Sequence, residues 1–369
     1  MRILICDDQP DVATALRLLL KGAGHQTEEF YAPNQLLDRL GATPSADLIL
    51  MDMNYARDTT SGEEGLSLLT RIKAAHAGIP VIVMTAWSSV DLAVEAMQRG
   101  AVDFIQKPWE NSRVIAVVEK QSSHRRQAAR NEMEIARNVQ QRLFPDPLVR
   151  RNRGVEFGGI CVPAQEIGGD YYDFLELDGG AMGFVLADVS GKGIPAALLM
   201  ANLQGSFRSQ SSADPRAVMS HVNSLFYRST PPEHFATAFL GVYDSKRQWL
   251  RFANCGHPPG LLLRQNGDVE KLEPTACVLG VADGLESDES GVPLNEGDLV
   301  VLYSDGITEA GIESGPEFGE SRLAQLLTER RKSDVGDLLA TIAKAAGDYA
   351  KGDHMDDMTL VGVRILTPA

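Results

Sequence analysis

The chain has 369 residues, 44% of them hydrophobic and 23% charged, a composition that predicts two folded domains of ordinary size or one unusually large one. Its formal net charge of −15 argues against general binding to nucleic acid or to anionic membranes, since both require basic patches. Four cysteines without a Cys-x-x-Cys pair argue against a zinc ribbon or a disulfide framework, and without a recognisable signal peptide or a long apolar segment we expect a cytoplasmic protein.

The first third of the chain alternates short apolar runs with segments of helical periodicity. Strands are predicted at 2–6, 48–51, 81–84 and 104–105. Buried strands that alternate with amphipathic helices predict an α/β domain with a doubly wound parallel sheet. In such a sheet ligands bind beyond the carboxyl ends of the strands, so residues at those ends are candidates for a site.

Five polar side chains follow these strands: Asp7, Asp8, Asp52, Thr85 and Lys107. Each of them alone is more typical of a turn or a loop. Together they make chemical sense, because three carboxylates can hold one Mg²⁺. Asp52 can then attack a phosphoryl donor, while Thr85 and Lys107 hold the phosphoryl oxygens. These strand ends therefore predict a phosphorylatable aspartate.

Residues 1–120 resemble the response-regulator receiver family. The resemblance rests on Asp7-Asp8 and on the segments 48–54, 81–86 and 104–108. It implies that Asp52 accepts a phosphoryl group from a sensor histidine kinase and that the backbone carbonyl of Asn54 also faces the Mg²⁺. Phe104 takes the place of the switch aromatic, so a tyrosine hydroxyl is missing there. The loop 54–62 is longer than the usual turn after the phosphoacceptor.

Residues 121–150 are predicted to form a helical linker. The stretch 111–143 contains no Gly or Pro, and a Phe-Pro-Asp-Pro sequence then ends the pattern. Five residues at alternating spacings of four and three suit a coiled-coil seam: Ala129, Met133, Ala136, Gln140 and Leu143. The pattern predicts either a homodimer through this helix or a single amphipathic helix that lies on the next domain.

The remainder of the chain, 151–369, is rich in β-like stretches bounded by turn residues. Strands are predicted at 183–187, 237–243, 249–253, 260–263, 299–303 and 359–364. Helices are predicted at 195–210, 214–227, 321–331 and 334–350, and a loop at 283–297. This grouping predicts an α+β domain with two packed antiparallel sheets flanked by helices.

Four acidic motifs stand out in this region. They contain Glu166, Asp170 and Asp173, then Asp188, then Asp305, and finally the pair Asp356-Asp357. Each motif alone favours a turn. Carboxylates that cluster without basic partners repel one another unless a cation neutralises them, and oxygen-only ligands favour Mg²⁺ or Mn²⁺ over zinc. Two such ions would hold a phosphate and activate a water for in-line hydrolysis, so no covalent protein nucleophile is needed.

The same region resembles the SpoIIE-like bacterial branch of the metal-dependent protein phosphatases. Beyond the acids, the agreement covers 191–197, 254–260, 279–280, 303–310, 318–319 and 356–359, in the family's order. The resemblance implies hydrolysis of phosphoserine or phosphothreonine on a partner protein. It further implies that the substrate is a phosphorylated anti-sigma-factor antagonist with the sulfate-transporter/anti-sigma (STAS) fold.

The resemblance also assigns roles to residues around two Mn²⁺ or Mg²⁺ ions. Asp188 would bridge both metals with help from the Val189 carbonyl, and Asp305 and Asp356 would bind the second metal. Asp170 would support the cluster directly or through water. Further candidates are Asp357 as a substitute for Asp356, Glu166 and Asp173 as additional acids, and His257, which is either catalytic or structural. Ser190 and Lys192 stand where relatives often carry histidine.

Two functions remain open at this point. The complete set of acids favours a phosphatase that is controlled by phosphorylation of Asp52. The alternative is a non-catalytic adaptor, in which a receiver is joined to a phosphatase-like fold that binds a sigma factor or another regulatory protein. The chain lacks the basic helix-turn-helix that a DNA-binding response regulator would need.

Overall fold

The computed structural model describes residues 1–369 except for 44, 56–61, 87–89, 146–149, 153, 289, 314, 352–354 and 367–369. Most of the long loop predicted at 54–62 therefore lies outside the described residues. The chain divides into two compact units, Met1–Asn131 and Glu132–Ala369. Among the described residues, no helix is long and apolar enough to cross a membrane.

The N-terminal unit contains one parallel sheet with helices on both faces. Its strands are β1 Arg2–Cys6, β2 Gln26–Phe30, β3 Leu48–Asp52, β4 Val81–Ala86 and β5 Asp103–Lys107. Its helices are α1 Pro10–Gly22, α2 Pro33–Ala42, α3 Glu63–Ala75, α4 Val90–Gln98 and the first part of α5 Asn111–Gln141. The strand order is β2-β1-β3-β4-β5, and a separate apolar cluster covers each face. The predicted doubly wound parallel sheet is confirmed.

β2 is the one strand of this sheet that the apolar pattern does not predict. Its sequence is Gln-Thr-Glu-Glu-Phe, and only Phe30 is buried. The strand lies at the edge of the sheet, where polar side chains remain in contact with solvent. The half-exposed Glu28 side chain forms ion pairs with Arg2 at 3.0 Å and with Arg39 at 2.9 Å. The sequence of such an edge strand lacks the apolar pattern from which strands are predicted.

Helix α5 runs for 31 residues, as the absence of Gly and Pro predicts. Two residues of the predicted seam are used by the C-terminal unit itself. Gln140 is buried and bonds the backbone of Gly168, and Leu143, just after the helix, packs against that unit's core. By contrast, Ile135 and Val139 are 63% and 58% exposed. The exposed apolar side chains of this part of α5 thus lie beside the predicted seam rather than on it.

The C-terminal unit contains two antiparallel sheets. Its strands are β6 Arg150–Asn152, β7 Val155–Val162, β8 Tyr171–Glu176, β9 Met182–Val189, β10 Ala236–Asp244, β11 Trp249–Cys255, β12 Gly260–Leu263, β13 Val269–Leu272, β14 Ser290–Pro293, β15 Leu299–Tyr303 and β16 Met358–Ile365. Its own helices are α6 Ile194–Arg208, α7 Pro215–Ser229, α8 Asp305–Thr308, α9 Gly319–Glu329 and α10 Val335–Tyr349. The strand orders are β14-β11-β10-β9-β8 and β13-β12-β15-β16-β7-β6.

Three apolar clusters build this unit as a layered sandwich. One lies between the two sheets and includes Phe184, Phe239 and Leu302. A second packs α6 and α7 on the sheet that contains β9, and a third packs α9 and α10 on the sheet that contains β15. The predicted α+β architecture of two packed sheets flanked by helices is confirmed.

The predicted loop at 283–297 is partly wrong. Residues Ser290–Pro293 form β14, which pairs with the start of β11 from Trp249 to Phe252. Its sequence, Ser-Gly-Val-Pro, lacks the apolar alternation of a strand and ends in proline. Proline is tolerated because β14 lies at the edge of its sheet.

Candidate functional site

The N-terminal unit brings its predicted acids together at the carboxyl ends of its strands. Asp7 and Asp8 follow β1, and Asp52 ends the neighbouring β3. Ligand atoms of all three lie within 4.8 Å of one another, and this is the only such group of three in the described part of the chain. One oxygen of Asp8 is buried without a described partner. The cluster is consistent with a Mg²⁺ site, because this ion prefers carboxylate oxygens.

Lys107, at the end of β5, reaches into the same cluster. Its ammonium lies 2.7 Å from Asp7 Oδ2 and 2.9 Å from Asp52 Oδ2. Burial raises the pKa of Asp7, although hydrogen bonding and the charge of Lys107 oppose this shift. The other oxygen of Asp52 accepts a hydrogen bond from the Met53 N–H at 2.8 Å. The fold thus joins side chains 100 residues apart in one acidic pocket, which the Lys107 ammonium enters.

The remaining N-terminal candidates flank this pocket. Thr85 is buried near the end of β4, the strand between β3 and β5. Phe104 on β5 is 40% exposed. The side-chain oxygen of Asn54 is buried without a described partner. All the receiver residues predicted from the sequence therefore lie on the strands or strand ends that form the pocket.

In the C-terminal unit, strand pairing explains why distant acids meet. Asp170 precedes β8 and Asp188 lies near the end of β9, and these two strands are antiparallel with Tyr171 opposite Ala187. Similarly, Asp305 follows β15 and Asp356 precedes β16, its antiparallel neighbour. In antiparallel strands the end of one adjoins the start of the next. The loops that carry the acids are thus placed in neighbouring positions.

The acids influence one another electrostatically. Burial and then the negative charges of Asp305, Asp356 and Asp357 raise the pKa of Asp188 to about 7. Burial, followed by the charges of Asp188 and Asp357, raises the pKa of Asp170 well above its usual range. The pKa of Asp305 is raised by burial and by Asp356. A cation at this cluster would relieve the repulsion that causes these shifts.

Asp357 differs from its neighbour Asp356 in its partners. Asp357 Oδ1 accepts a hydrogen bond from the Ala164 N–H at 2.8 Å, and Oδ2 accepts one from the Gly169 N–H at 2.8 Å and another from the Asp170 N–H at 3.3 Å. Both of its oxygens are used to hold the chain segment that carries Asp170. Asp357 is thus a structural support for the acidic cluster.

Asp356, in contrast, forms an ion pair with a lysine side chain. It is half-exposed, and its Oδ2 lies 2.9 Å from the ammonium of Lys192. Lys192 also donates a hydrogen bond to the backbone carbonyl of Met355. Within the described part of the cluster, Asp356 is therefore the acid that forms an ion pair, and its partner is Lys192.

The two further candidate acids, Glu166 and Asp173, have surroundings unlike those of the clustered acids. Glu166 is exposed. Asp173 is buried, but the guanidinium of Arg208 lies 2.6 Å from it and the Tyr171 hydroxyl donates to it at 2.7 Å. Because Arg208 already neutralises Asp173, this carboxylate has no unbalanced charge to offer a metal.

His257 is buried in the core beside the site. Its Nδ1 lies 2.8 Å from the hydroxyl of Thr237, which lies opposite Asp188 in the pairing of β9 and β10. Its backbone N–H donates to Asn254 Oδ1 at 2.9 Å. Burial lowers the pKa of His257 to about 3, so the ring is neutral at physiological pH. The residue is 2% exposed, and its Nε2 is buried without a described hydrogen-bond partner.

The C-terminal acids offer oxygen ligands that fit divalent cations. Asp170 Oδ2 is buried with no described hydrogen-bond partner. A Cβ added to Gly169 would lie 2.8 Å from the Val189 carbonyl oxygen and 3.7 Å from Asp188 Oδ1, so glycine leaves this space open. These acids do not form a group as compact as Asp7, Asp8 and Asp52 within the described residues. The wider spacing of these acids is consistent with electrostatic repulsion among their carboxylates and with the ion pair between Asp356 and Lys192.

Several supporting residues are not identified by the sequence analysis as parts of the site. Gln140 donates to the Gly168 carbonyl at 2.8 Å and accepts from the Gly168 N–H at 3.1 Å, next to the loop of Asp170. The Ser304 hydroxyl donates to the Asp357 carbonyl and accepts from the Thr359 N–H. Gln140 carried a signal, since a buried amide among apolar seam positions requires partners.

Comparison with known families agrees with both units. The response regulator receiver domain matches residues 3–119, and the family described as Stage II sporulation protein E (SpoIIE) matches residues 178–366, about half of the chain. The chain belongs to the SpoIIE family. Its SpoIIE unit is a phosphatase domain of this type, and its N-terminal unit is a response-regulator receiver domain. The receiver implies a kinase as phosphodonor.

Similar proteins support this assignment. The phosphoserine phosphatase RsbU of Bacillus subtilis is 31% identical over 64% of this chain and 71% of that protein. A crystal structure of RsbU and RsbW domains from Mycobacterium tuberculosis is 26% identical, with a TM-score of 0.53, over 60% of this chain and 62% of that one. The SiaA PP2C domain of Pseudomonas aeruginosa shares the fold, with a TM-score of 0.57 and 21% identity over 65% of this chain and 98% of that domain.

Proposed function

We propose that the SpoIIE unit hydrolyses phosphoserine or phosphothreonine on a partner protein with two Mn²⁺ or Mg²⁺ ions, and that phosphorylation of Asp52 controls it. The observation that carries the proposal is the electrostatics of Asp188. Its pKa is raised to about 7 by burial and by three neighbouring carboxylates. Such an arrangement is costly to a protein that keeps these groups ionised, unless cations bind among them.

The proposed ligands are those that the resemblance to the SpoIIE family implies, and the hydrogen-bond partners of Asp357 separate it from them. Asp188 would contact both ions, and the Val189 carbonyl would supply a further ligand to one of them. Asp305 and Asp356 would hold the second ion, and Asp170 would support the cluster through its unpartnered oxygen. Asp357 is proposed as a positioning residue, because its oxygens already accept backbone N–H groups.

When bound, the divalent cations supply Lewis acidity, which activates a water and offsets the charge of the phosphoryl group. The chain's own residues provide the geometry. Asp357 and Gln140 fix the 168–170 segment from two sides, so that Asp170 stays next to Asp188. Among the described residues at the cluster, Lys192 is the cation that contacts a carboxylate.

The proposed substrate is a phosphorylated STAS-type protein, an anti-sigma-factor antagonist in partner switching. The support is the similarity to RsbU, a protein named for phosphoserine hydrolysis, together with the acidic site that the two-ion chemistry requires. An adaptor without activity would not need to keep a group of carboxylates, of which only Asp356 pairs with a described basic side chain at the cluster, partly out of water.

The decisive experiment measures phosphate release from a phosphoserine-bearing STAS protein by the full-length chain in Mn²⁺. Asp188→Ala is expected to reduce release to background. Glu176→Gln, an exposed acid at the far end of β8, is the matched control and should retain the wild-type rate. Equal turnover by Asp188→Ala would sink the proposed metal chemistry.

For the receiver unit, we propose that Asp7, Asp8 and Asp52, with the Asn54 carbonyl, hold one Mg²⁺ while Asp52 accepts the phosphoryl group from a histidine kinase. Thr85, Phe104 and Lys107 would respond to the new charge. Mass spectrometry after incubation with a small-molecule phosphodonor and Mg²⁺ should show one added phosphoryl group. Asp52→Asn should remove it, and Asp103→Asn, on β5 outside the pocket, should not.

We also propose that α5 mediates the regulation, either as a lever or through a homodimer. The support for dimerisation is the exposure of Ile135 and Val139, which are four residues apart on one face of the helix. Light scattering of the wild type and of Ile135→Lys distinguishes the two mechanisms. A mass that falls from dimer to monomer in the variant supports the homodimer, and a wild-type monomer leaves the lever.

A further inference from the structure

The loop between β9 and α6 places a lysine at the acidic cluster. Gly191 and Gly193 adopt positive φ angles of 97° and 72°, which other residues rarely tolerate, and Lys192 lies between them. Its ammonium lies 2.9 Å from Asp356 Oδ2 and donates a hydrogen bond to the Met355 carbonyl. The loop thus connects the end of β9 to the start of β16 through one cationic side chain.

The charge of Lys192 extends over the outer part of the cluster. It opposes the rise in the pKa of Asp305 and of Glu309 that burial and neighbouring carboxylates cause. Lys192 and Asp356 also line a cavity of about 420 Å³ that opens beside Glu309. The ammonium therefore lies where the proposed second ion would meet Asp305 and Asp356.

An ammonium group and a divalent cation cannot share one carboxylate oxygen without repelling each other. The Lys192 side chain is 44% exposed, so it can swing into solvent when a metal binds. Lysine suits this exchange because its charge sits on a flexible four-carbon stem and makes no fixed bidentate contact. Metal binding must then break the Lys192–Asp356 ion pair.

From these contacts we propose that Lys192 is a built-in competitor of the second metal ion, which stabilises the metal-free cluster and lowers its affinity for the cation that Asp305 and Asp356 hold. The inference rests on the proposed two-metal site and adds a residue that sets its occupancy. In the metal-free protein Lys192 offsets part of the repulsion among the acids. In the metal-loaded protein it is displaced toward the cavity.

The alternative role for Lys192 is a structural cross-link between the 191–193 loop and Met355. The two roles differ in a measurable way. A structural cross-link predicts that removal of the lysine lowers the melting temperature and leaves metal affinity unchanged or weaker. A competitor predicts that removal strengthens metal binding, and that the gain diminishes as salt screens the exposed charge.

The test is calorimetric titration of Mn²⁺ into chelator-treated, full-length protein at low salt. Lys192→Gln and Lys192→Ala are expected to bind the second Mn²⁺ of the C-terminal unit, the ion assigned to Asp305 and Asp356, about two- to fivefold more tightly than the wild type. This is the range expected for loss of an exposed ion pair. Lys351→Gln is the matched control, because it removes a positive charge from the wall of the same cavity. It should retain wild-type affinity, and Lys192→Arg, which keeps the positive charge, should not bind Mn²⁺ more tightly than the wild type.

Each outcome decides the matter. Tighter binding in both uncharged Lys192 variants, but not in Lys351→Gln, supports the proposal. Unchanged or weaker binding in the Lys192 variants overturns it while the metal site itself stands. An equal gain in Lys351→Gln overturns it too, since a general charge effect would then suffice. Absence of Mn²⁺ binding beyond the one ion expected at Asp7, Asp8 and Asp52, in every protein including the wild type, overturns the two-metal site together with this inference.

Discussion

The Asp357 carboxylate accepts a hydrogen bond from the backbone N–H of Gly169 at 2.8 Å, across 188 positions of the chain. This bond fastens the loop before β8 to the start of β16, and so places Asp170 at the acidic cluster. The adjacent Asp356 bonds no distant backbone N–H group in the described residues, but pairs with Lys192. Two neighbouring aspartates thus have different roles, and we expect their substitutions to affect stability differently.

Asp357→Ala is expected to destabilise the protein by about 1–3 kcal/mol, because buried N–H groups of the 164–170 segment lose their acceptor. Asp356→Ala should cost less, about 1 kcal/mol, since it loses a half-exposed ion pair and one hydrogen bond from the adjacent Asp357 N–H. Both variants should lose phosphatase activity. Urea unfolding in the presence of a chelator measures the first difference. Equal destabilisation by the two substitutions would contradict the division of tasks.

The stability of the metal-free protein should fall as pH rises through about 7, in part because of Asp188. In the folded protein the pKa of this carboxyl is raised from 3.8 to about 7, so between these values the folded state binds more protons than the unfolded state. The stabilisation is complete below the unfolded pKa and is lost as pH rises through the folded one. From pH 5.5 to 8 the loss should be on the order of 2 kcal/mol.

The measurement is the urea midpoint of chelator-treated protein at pH 5.5 and at pH 8. Asp188→Asn should reduce the difference between the two midpoints, since the amide does not titrate. Saturating Mn²⁺ at pH 8 should restore the stability of the wild type, because metal binding favours the ionised carboxylate. A pH dependence that is identical in wild type and variant would argue against the raised pKa.

His257→Ala is expected to lower stability by about 1–3 kcal/mol, as the buried ring is lost from the core and the half-buried Thr237 hydroxyl loses its partner at 2.8 Å. Because the pKa of His257 is lowered to about 3, the ring does not change charge between pH 6 and 8. The residual activity of the variant should therefore show the wild-type pH dependence over this range. Loss of one limb of the pH–rate profile would instead assign the ring a catalytic proton transfer.

Gln140→Ala should weaken Mn²⁺ binding and slow phosphate release. The substitution removes both hydrogen bonds to Gly168, at 2.8 and 3.1 Å, and so loosens the segment that carries Asp170. Gln141→Ala, at the exposed neighbouring position, is the control and should match the wild type. Similar Mn²⁺ affinities for the two variants would show that the last turn of α5 does not position the metal site.

Much of the fold follows from local patterns. Apolar runs at 48–51, 81–84 and 299–303 became β3, β4 and β15, because a buried strand needs continuous apolar side chains. The elements that the pattern does not reveal include the edge strands β2 and β14, and also β7, an interior strand whose second half is only half-buried. Edge strands keep one side in solvent, so their sequences carry less of the apolar signal from which strands are predicted.

The sequence by itself determined which residue types stand at the strand ends, because strand periodicity and turn chemistry depend on neighbours along the chain. Only the tertiary structure decided how those side chains are used. It paired Asp173 with Arg208, buried His257 against Thr237, directed Asp357 to backbone N–H groups and paired Asp356 with Lys192. Each of these contacts joins residues far apart in sequence, and burial and charge at such contacts are set by three-dimensional proximity.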